Sequence, residues 1–320
     1  MPASGRRLRS WSESRRAHRA CASRSSRSRA GRVAPTFPAL TPAKVGPRTV
    51  SSNRRPKRRR ASRALCAAAA IRIGCMRALD SEPADVLVLQ HLNEDGPGYL
   101  GEWLDAQGIA WHVRCAEAGE TYPPSLRGYR GLAVLGGAWG ANDDRPTLRQ
   151  AEALIREADA LGIPVIGHCL GGQLLARALG GSVRPLPRPE VGWWPIAHTG
   201  SAAALAWFGA ETAHTVYQWH QDGFVDLPPG AELLASSPAC AHQAFAIGPH
   251  LGMQFHIEIT PQKIAIWLDQ PGEAYRANVP RFPDSVQDPA SMNAATPRHQ
   301  AGSQALADRI YATWRSRWTG

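Results

Sequence analysis

The run Gly167-His168-Cys169-Leu170-Gly171-Gly172 places a thiol among glycines, directly after the apolar stretch IPVIGH (163–168) and at the start of the amphipathic stretch LGGQLLARALGG (170–181). A strand that turns sharply into a helix exposes whatever residue sits at the turn, and small neighbours are required because a Cβ there would strike the adjoining backbone. Amides at the start of the helix favour a thiolate and can hold an oxyanion. A thiol that attacks an amide also needs a base and a group to orient that base. Gln254-Phe255-His256-Ile257-Glu258 offers both types. In an extended segment residues 256 and 258 point the same way, so Glu258 can fix the tautomer of His256. Taken singly, neither signal is specific: a buried cysteine is commonly an inert small hydrophobe, and H-x-E commonly a solvated strand edge.

The elements that must position these groups alternate. DVLVLQ (85–90), RGLAVLGG (130–137) and IPVIGH read as buried strands, and GYLGEWLDAQG (98–108) as a helix stopped by Gly108. Leu148, Ala151, Leu154, Ile155, Ala158 and Leu161 recur at helical spacing and Gly162 suits the left-handed closing position. Buried strands joined by crossover helices imply an open, mostly parallel α/β sheet. Beyond residue 181 the segments VGWWPIA, HTVYQWHQDGF, AELLASS, HQAFAIG and HLGMQFHIE are short and separated by turn residues, which predicts β-rich elaboration. TPQKIAIWLD (260–269) reads as a helix and 270–300 as a Pro-rich polar connection. Leu306, Ile310, Trp314 and Trp318 form a terminal amphipathic stripe that covers the core.

Charge is divided unevenly. Residues 1–75 hold 20 Lys/Arg against Glu13 alone, whereas residues 76–320 hold 17 against 25 acids, so the formal +11 belongs to an Arg/Ser-rich arm. Such a segment is expected to be disordered. Its functional readings are a nucleic-acid arm, a basic targeting signal at Arg54–Arg60 and an export signal built on ALCAAAAIRIGC; the leading expectation is an adventitious extension upstream of a start at Met76. The domain expectation is therefore a 1–75 extension, a 76–269 catalytic domain and a 270–320 connection with a terminal helix. Without an apolar run of about 18 residues no membrane-spanning helix is expected. The six scattered cysteines suggest a reducing compartment, taken as the cytoplasm. No HExxH, paired CxxC or Walker lysine pattern is present, so neither a metal nor another cofactor is expected.

Taken together and in order, GLAVLGGAWG, GHCLGGQLLARALGG, WHQDGF and LGMQFHIE resemble the class I glutamine amidotransferases, in particular stand-alone proteins similar to the amidotransferase domain of GMP synthase, over residues 85–268. The resemblance implies a Cys169/His256/Glu258 triad that releases ammonia from glutamine through a γ-glutamyl thioester. It also implies an oxyanion hole from the amides of Leu170 and the Gly137 region, with Gly136, Ala138, Gln173, Trp219 and His220 near the substrate. Glu190-Val191-Gly192-Trp193 reads equally well as a pocket wall or a buried strand, and Asn142-Asp143-Asp144 as a helix-entry turn. Two positions depart from the family pattern: His168 stands where an aliphatic residue is usual, placing a second titrating group beside the nucleophile, and Ile257 where proline is common. No S-G-G-x-D-S pyrophosphate loop is present, so GMP synthesis by this polypeptide alone is not expected. A separate ATP-dependent acceptor subunit is the implied partner. The alternatives are a stand-alone hydrolase of γ-glutamyl amines or peptides and a non-catalytic module whose basic arm binds nucleic acid.

Overall fold

A computed structural model describes residues 84–269 and 271–318. The basic arm and the expected boundary at 75/76 lie outside the described residues. The first strand, β1 (Val86–Gln90), is buried at every position, as a strand covered on both faces must be. It leads through α1 (Tyr99–Ala106) to β2 (Trp111–Cys115) and β3 (Gly131–Val134). The strand β2 was not foreseen: as an edge strand it buries only Cys115 fully, and W-H-V-R-C carries neither an apolar run nor a clean alternation. Then come α2 (Pro146–Leu161), closed by Gly162 at φ 68°, β4 (Val165–His168) and α3 (Leu170–Ala178). Leu161, expected on the apolar face of α2, is instead 39% exposed, one turn beyond the packed stripe that ends at Ala158.

The rest of the chain adds β5 (Ser182–His198), α4 (Ala202–Phe208) and β6 (Ala213–Asp226). It continues with β7 (Glu232–Ser236), β8 (Ala244–Ile247) and β9 (His250–Met253), then α5 (Pro261–Asp269), α6 (Gly272–Arg281) and α7 (Pro289–Ser316). Two expectations change here. VGWWPIA and HTVYQWHQDGF are not short pieces but parts of β5 and β6, a long antiparallel ribbon whose register slips only at Ser182–Val183 and between Pro185 and Glu190. The second slip falls in a proline-rich stretch lacking N–H donors for the ladder. The supposed connection 270–300 is largely helical. Pro289 occupies the first turn of α7, where its missing N–H costs nothing, and Asp288 caps that turn by accepting from Ser291 N at 2.8 Å. Pro297, inside the helix, is outweighed by burial of Met292, Leu306, Ile310, Tyr311 and Trp314.

One open sheet of order β2-β1-β3-β4-β9-β8-β7-β5-β6 results. Pairing is parallel from β2 to β9 and antiparallel from β9 onward. One face packs on α1, α4 and α7, the other on α2 and α3. The terminal stripe does cover the core, with Leu306, Ile310 and Trp314 buried and Trp318 edge-on to Trp314. Because β1, β2, β3, β4 and β9 are mutually parallel, the residues following each of them emerge at one sheet edge, where open α/β folds hold their ligands. Cys169 follows β4 by one residue and His256 follows the adjacent β9 by three, which is how positions 87 residues apart meet.

Candidate active site

Cys169 caps α3 at φ 47° and ψ −108°, and it is the one non-glycine residue with positive φ among the described residues. Such a conformation costs about 1–3 kcal/mol and persists only where its surroundings enforce it. Here they do. A Cβ on Gly171 would lie 2.0 Å from Val134 O, one on Gly167 2.6 Å from the Gly171–Gly172 backbone, and one on Gly172 2.5 Å from Met253 O. The Cys169 N–H donates to Met253 O at 2.9 Å, tying the bend to β9. The thiol lies 3.7 Å from Trp219 O and accepts from Gln254 Nε2 at 3.6 Å.

His256 and Glu258 follow β9 in extended backbone, and His256 N–H donates to Tyr217 O at 2.9 Å in an isolated bridge to β6. Nδ1 of His256 meets Glu258 Oε1 at 2.6 Å. Its Nε2 is buried without a hydrogen-bond partner among the described residues. Burial disfavours charge on His256, but ionised Glu258 and the neighbouring Cys169 outweigh it and push the imidazole up to about 10. Glu258 is also fully buried, and against that desolvation His256 and Lys263 hold it well below the ordinary carboxylate range. Ile257, where proline is common, is fully buried in the α7-side core, so packing fixes the segment in place of a rigid ring.

Cys169 and His256 open into a chamber of about 710 Å³ bounded also by Gly137, Ala138, Trp219 and Trp267. A second chamber, of about 480 Å³, lies on the other side of Cys169 and includes Leu170, Gln173, Trp219, His220 and Asp222, with Gly137 and Ala138 shared. Gly136 is pressed against the imidazole: a Cβ there would stand 2.9 Å from His256 Cε1. Leu170 is the first residue of α3, where a backbone N–H has no intrahelical acceptor.

The glutamine amidotransferase class-I profile matches residues 112–265. The glutamine amidotransferase-like protein YfeJ of Salmonella typhimurium is 31% identical over 183 residues, 54% of this chain and 75% of that protein. The chain belongs to the class I glutamine amidotransferase family. A separately encoded, glutamine-hydrolysing part of GMP synthase from Saccharolobus solfataricus is 31% identical over 44% of this chain and 76% of its own length. The GMP synthase of Thermomicrobium roseum, 35% identical over 130 residues, is matched over only 23% of its length. A crystal structure of a glutamine amidotransferase from Methylobacillus flagellatus superposes at TM-score 0.70 with 33% identity, covering 74% of this chain and 96% of that one.

Within this amidotransferase frame several expected residues take unexpected positions. His168 does not face the nucleophile: it is fully buried on the α7 side, 3.3 Å from Tyr311 Oη, and burial pushes it down to about 4. His220 reaches the smaller chamber, yet both ring nitrogens are engaged, with Glu190 Oε2 at 3.2 Å and Asp222 O at 3.1 Å. Glu190 is buried in β5, receiving Ser237 Oγ at 2.8 Å and Gln243 Nε2 at 2.6 Å. Glu190, His220 and Cys240 bring ligand-type atoms within 4.8 Å of one another, but those hydrogen bonds already occupy the carboxylate. Gln173 is buried in α3 and donates to Asp222 O and Gln254 Oε1 at 3.1 and 3.2 Å. Asn142–Asp144 is the turn into α2, with Gly140 N donating to Asp143 at 3.1 Å.

Sequence reasoning passed over three groups. Gln254 bridges Gln173 and the thiol. Lys263, on α5, is buried with Nζ 2.7 Å from Asp95 Oδ1, 2.7 Å from Gly96 O and 3.7 Å from Glu258 Oε1. Asp95 completes that buried link from the loop after β1. Lysine on an otherwise amphipathic helix reads as a solvated charge, and only the burial of positions 95, 258 and 263 together marks it out. Among the described residues no helix is long and apolar enough to cross a membrane.

Proposed function

We propose that the chain hydrolyses the side-chain amide of glutamine through a thioester on Cys169, supplying ammonia to a separate ATP-dependent acceptor subunit. The observation that carries this reading is the alignment of a strained cysteine elbow with a buried imidazole whose far nitrogen is held by Glu258 at 2.6 Å. Sγ attacks the γ-carbonyl carbon, and the displaced electron pair goes to oxygen, which the amides of Leu170 and Gly137 receive without rearranging. His256 delivers the proton from Nε2 to the departing nitrogen as the C–N bond breaks, then takes a proton from the water that hydrolyses the thioester to glutamate. Glu258 stays ionised throughout and keeps the ring in one tautomer.

Gln173 has its amide nitrogen committed twice, so its oxygen is left to accept from the α-ammonium of the substrate. Trp219 walls both chambers, Ala138 and Gly136 crowd the reacting carbon, and His220, with both nitrogens engaged, braces the wall. Cytoplasmic residence and the 76–269 extent of the catalytic unit belong to the same proposal.

Incubation of the intact protein with 6-diazo-5-oxo-L-norleucine, read by mass spectrometry, is expected to add one γ-glutamyl group at Cys169 and none in Cys169→Ala. Glutamine-dependent ammonia release should vanish in the same variant. An unlabelled Cys169, together with salt-sensitive retention of nucleic acid, would instead favour a non-catalytic binding module.

A further inference from the structure

The chambers flanking Cys169 differ chemically, and we infer that the one on the His256 side binds the amine portion of a γ-glutamyl amine bearing a second, cationic nitrogen. The inference rests on the thioester reading above and names its substrate class.

Proton transfer fixes which chamber receives the leaving group. The departing nitrogen must meet the acid that protonates it, and His256 lines the larger chamber but not the smaller one. Its Nε2, buried and unpartnered, is aimed there. The amino-acid end of the substrate then lies with Gln173 and Asp222 in the smaller chamber. Ammonia alone would need roughly the 30 Å³ share of one water, whereas this chamber offers about 710 Å³. Such a volume suits a leaving group with a chain.

The lining specifies the chain's chemistry. Close to the reacting atoms it is aromatic: Trp267 stands edge-on to His256 at 4.9 Å and to Trp219 at 5.6 Å. Glu94, from the loop after β1, and Glu117, after β2, are exposed, so they occupy the mouth. Glu117 is oriented by accepting from Asn93 N at 2.8 Å. Asp95 also lines the chamber, but Lys263 neutralises it. Among the described residues neither Glu94 nor Glu117 has a cationic partner, and His256 is the sole basic group on the lining. A charge-bearing imidazole beside the thiol repels a cation placed close by, while two carboxylates at the mouth attract one. Both constraints are met by an alkyl spacer that crosses the tryptophan wall and ends in an ammonium.

In this reaction the Sγ–C bond forms, the C–N bond breaks and the proton on His256 Nε2 passes to the departing nitrogen. The free diamine leaves with its distal ammonium still protonated. Water then converts the thioester to glutamate and restores the thiol.

The test compares glutamate release from γ-L-glutamyl-1,4-diaminobutane, the neutral γ-L-glutamyl-pentylamine and the anionic γ-L-glutamyl-4-aminobutyrate. The cationic substrate is expected to exceed the neutral one in kcat/KM by about tenfold, with the anion lowest. In Glu94→Gln/Glu117→Gln the cation-to-neutral ratio should fall to within about twofold of unity. Because the readout is a ratio, a partly misfolded variant does not imitate this result. The wild type supplies an independent check: the ratio should shrink as NaCl is raised, since charges at the mouth are screened. Equal or reversed rates, or a ratio insensitive to both carboxylates and salt, overturn the inference. Wild-type Cys169 labelled by 6-diazo-5-oxo-L-norleucine but showing no preference for the cation would sink this inference alone; an unlabelled Cys169 with no amide turned over would sink the thioester reading with it.

Discussion

Burial alone would strip His256 of its charge, and the carboxylate of Glu258, 2.6 Å away and itself enclosed, reverses that outcome. Glu258→Gln removes the opposing charge while keeping the shape, so the imidazole should titrate below its ordinary value near 6.5 instead of near 10. This is readable from the His256 Cε1 chemical shift, and kcat is expected to drop by about 10²–10⁴-fold. The pair also shapes stability. A raised imidazole contributes fully below its unfolded value near 6.5 and loses that contribution as pH climbs through about 10. A depressed carboxylate contributes above its unfolded value near 4.5 and loses it on acidification. Their joint contribution is therefore greatest between about pH 4.5 and 6.5 and declines on either side, which urea midpoints across pH would follow in the wild type and flatten in the variant. His168 plays no part in this titration, because it is held neutral on the far side of the sheet by burial and faces Tyr311. The pH profile of kcat should keep its inflections in His168→Leu.

At the scale of elements, the elbow is a steric device. Gly171→Ala would force a methyl to within 2.0 Å of Val134 O, a backbone atom that cannot swing away. A loss of about 3 kcal/mol or more, together with loss of Cys169 labelling, is expected in denaturation and mass-spectrometric assays. Gly302, on the exposed side of α7, has nothing within 4 Å of its added Cβ. Gly302→Ala should accordingly raise stability by about 0.5–1 kcal/mol. The same contrast holds for charge. Lys263 links the loop after β1 to the segment after β9 through Asp95 and Glu258. Lys263→Met strands two buried carboxylates and is expected to cost about 3–5 kcal/mol, much of it recovered in Lys263→Met/Asp95→Asn. A urea midpoint unchanged by the single substitution would contradict that account.

For the whole molecule, five mutually parallel strands deliver their following residues to one edge, which makes the sheet order the true determinant of the site. Residues after β1 supply Asp95, those after β3 supply Gly136–Ala138, the bend after β4 supplies Cys169, and those after β9 supply Gln254, His256 and Glu258. Charge at this scale is divided along the chain: residues 76–320 carry 17 bases against 25 acids, while the preceding 75 carry nearly all the excess positive charge. Protein beginning at Met76 is expected to keep its glutamine turnover and thermal midpoint and to lose any salt-sensitive retention on nucleic acid. Reduced turnover in that truncated protein would show that the basic segment serves the enzyme.

What could be read without coordinates was whatever depends on neighbouring residues. The glycines around Cys169, the strand-to-helix change at that point, the period of α2 and α7 and the joint H-x-E pattern are local, because sterics and hydrophobic periodicity act over a few positions. The family's motif order then tied Cys169 to His256 and Glu258. Tertiary structure decided the remainder. It set which charges are buried and matched, as with Lys263 and Asp95, which way His168 faces, how far β5 and β6 pair, and that the prolines near 289 and 297 ride in a long helix instead of a connection. The physical reason is that burial and partnership are properties of segments far apart in the chain, and a residue's own type does not reveal which surface will close over it.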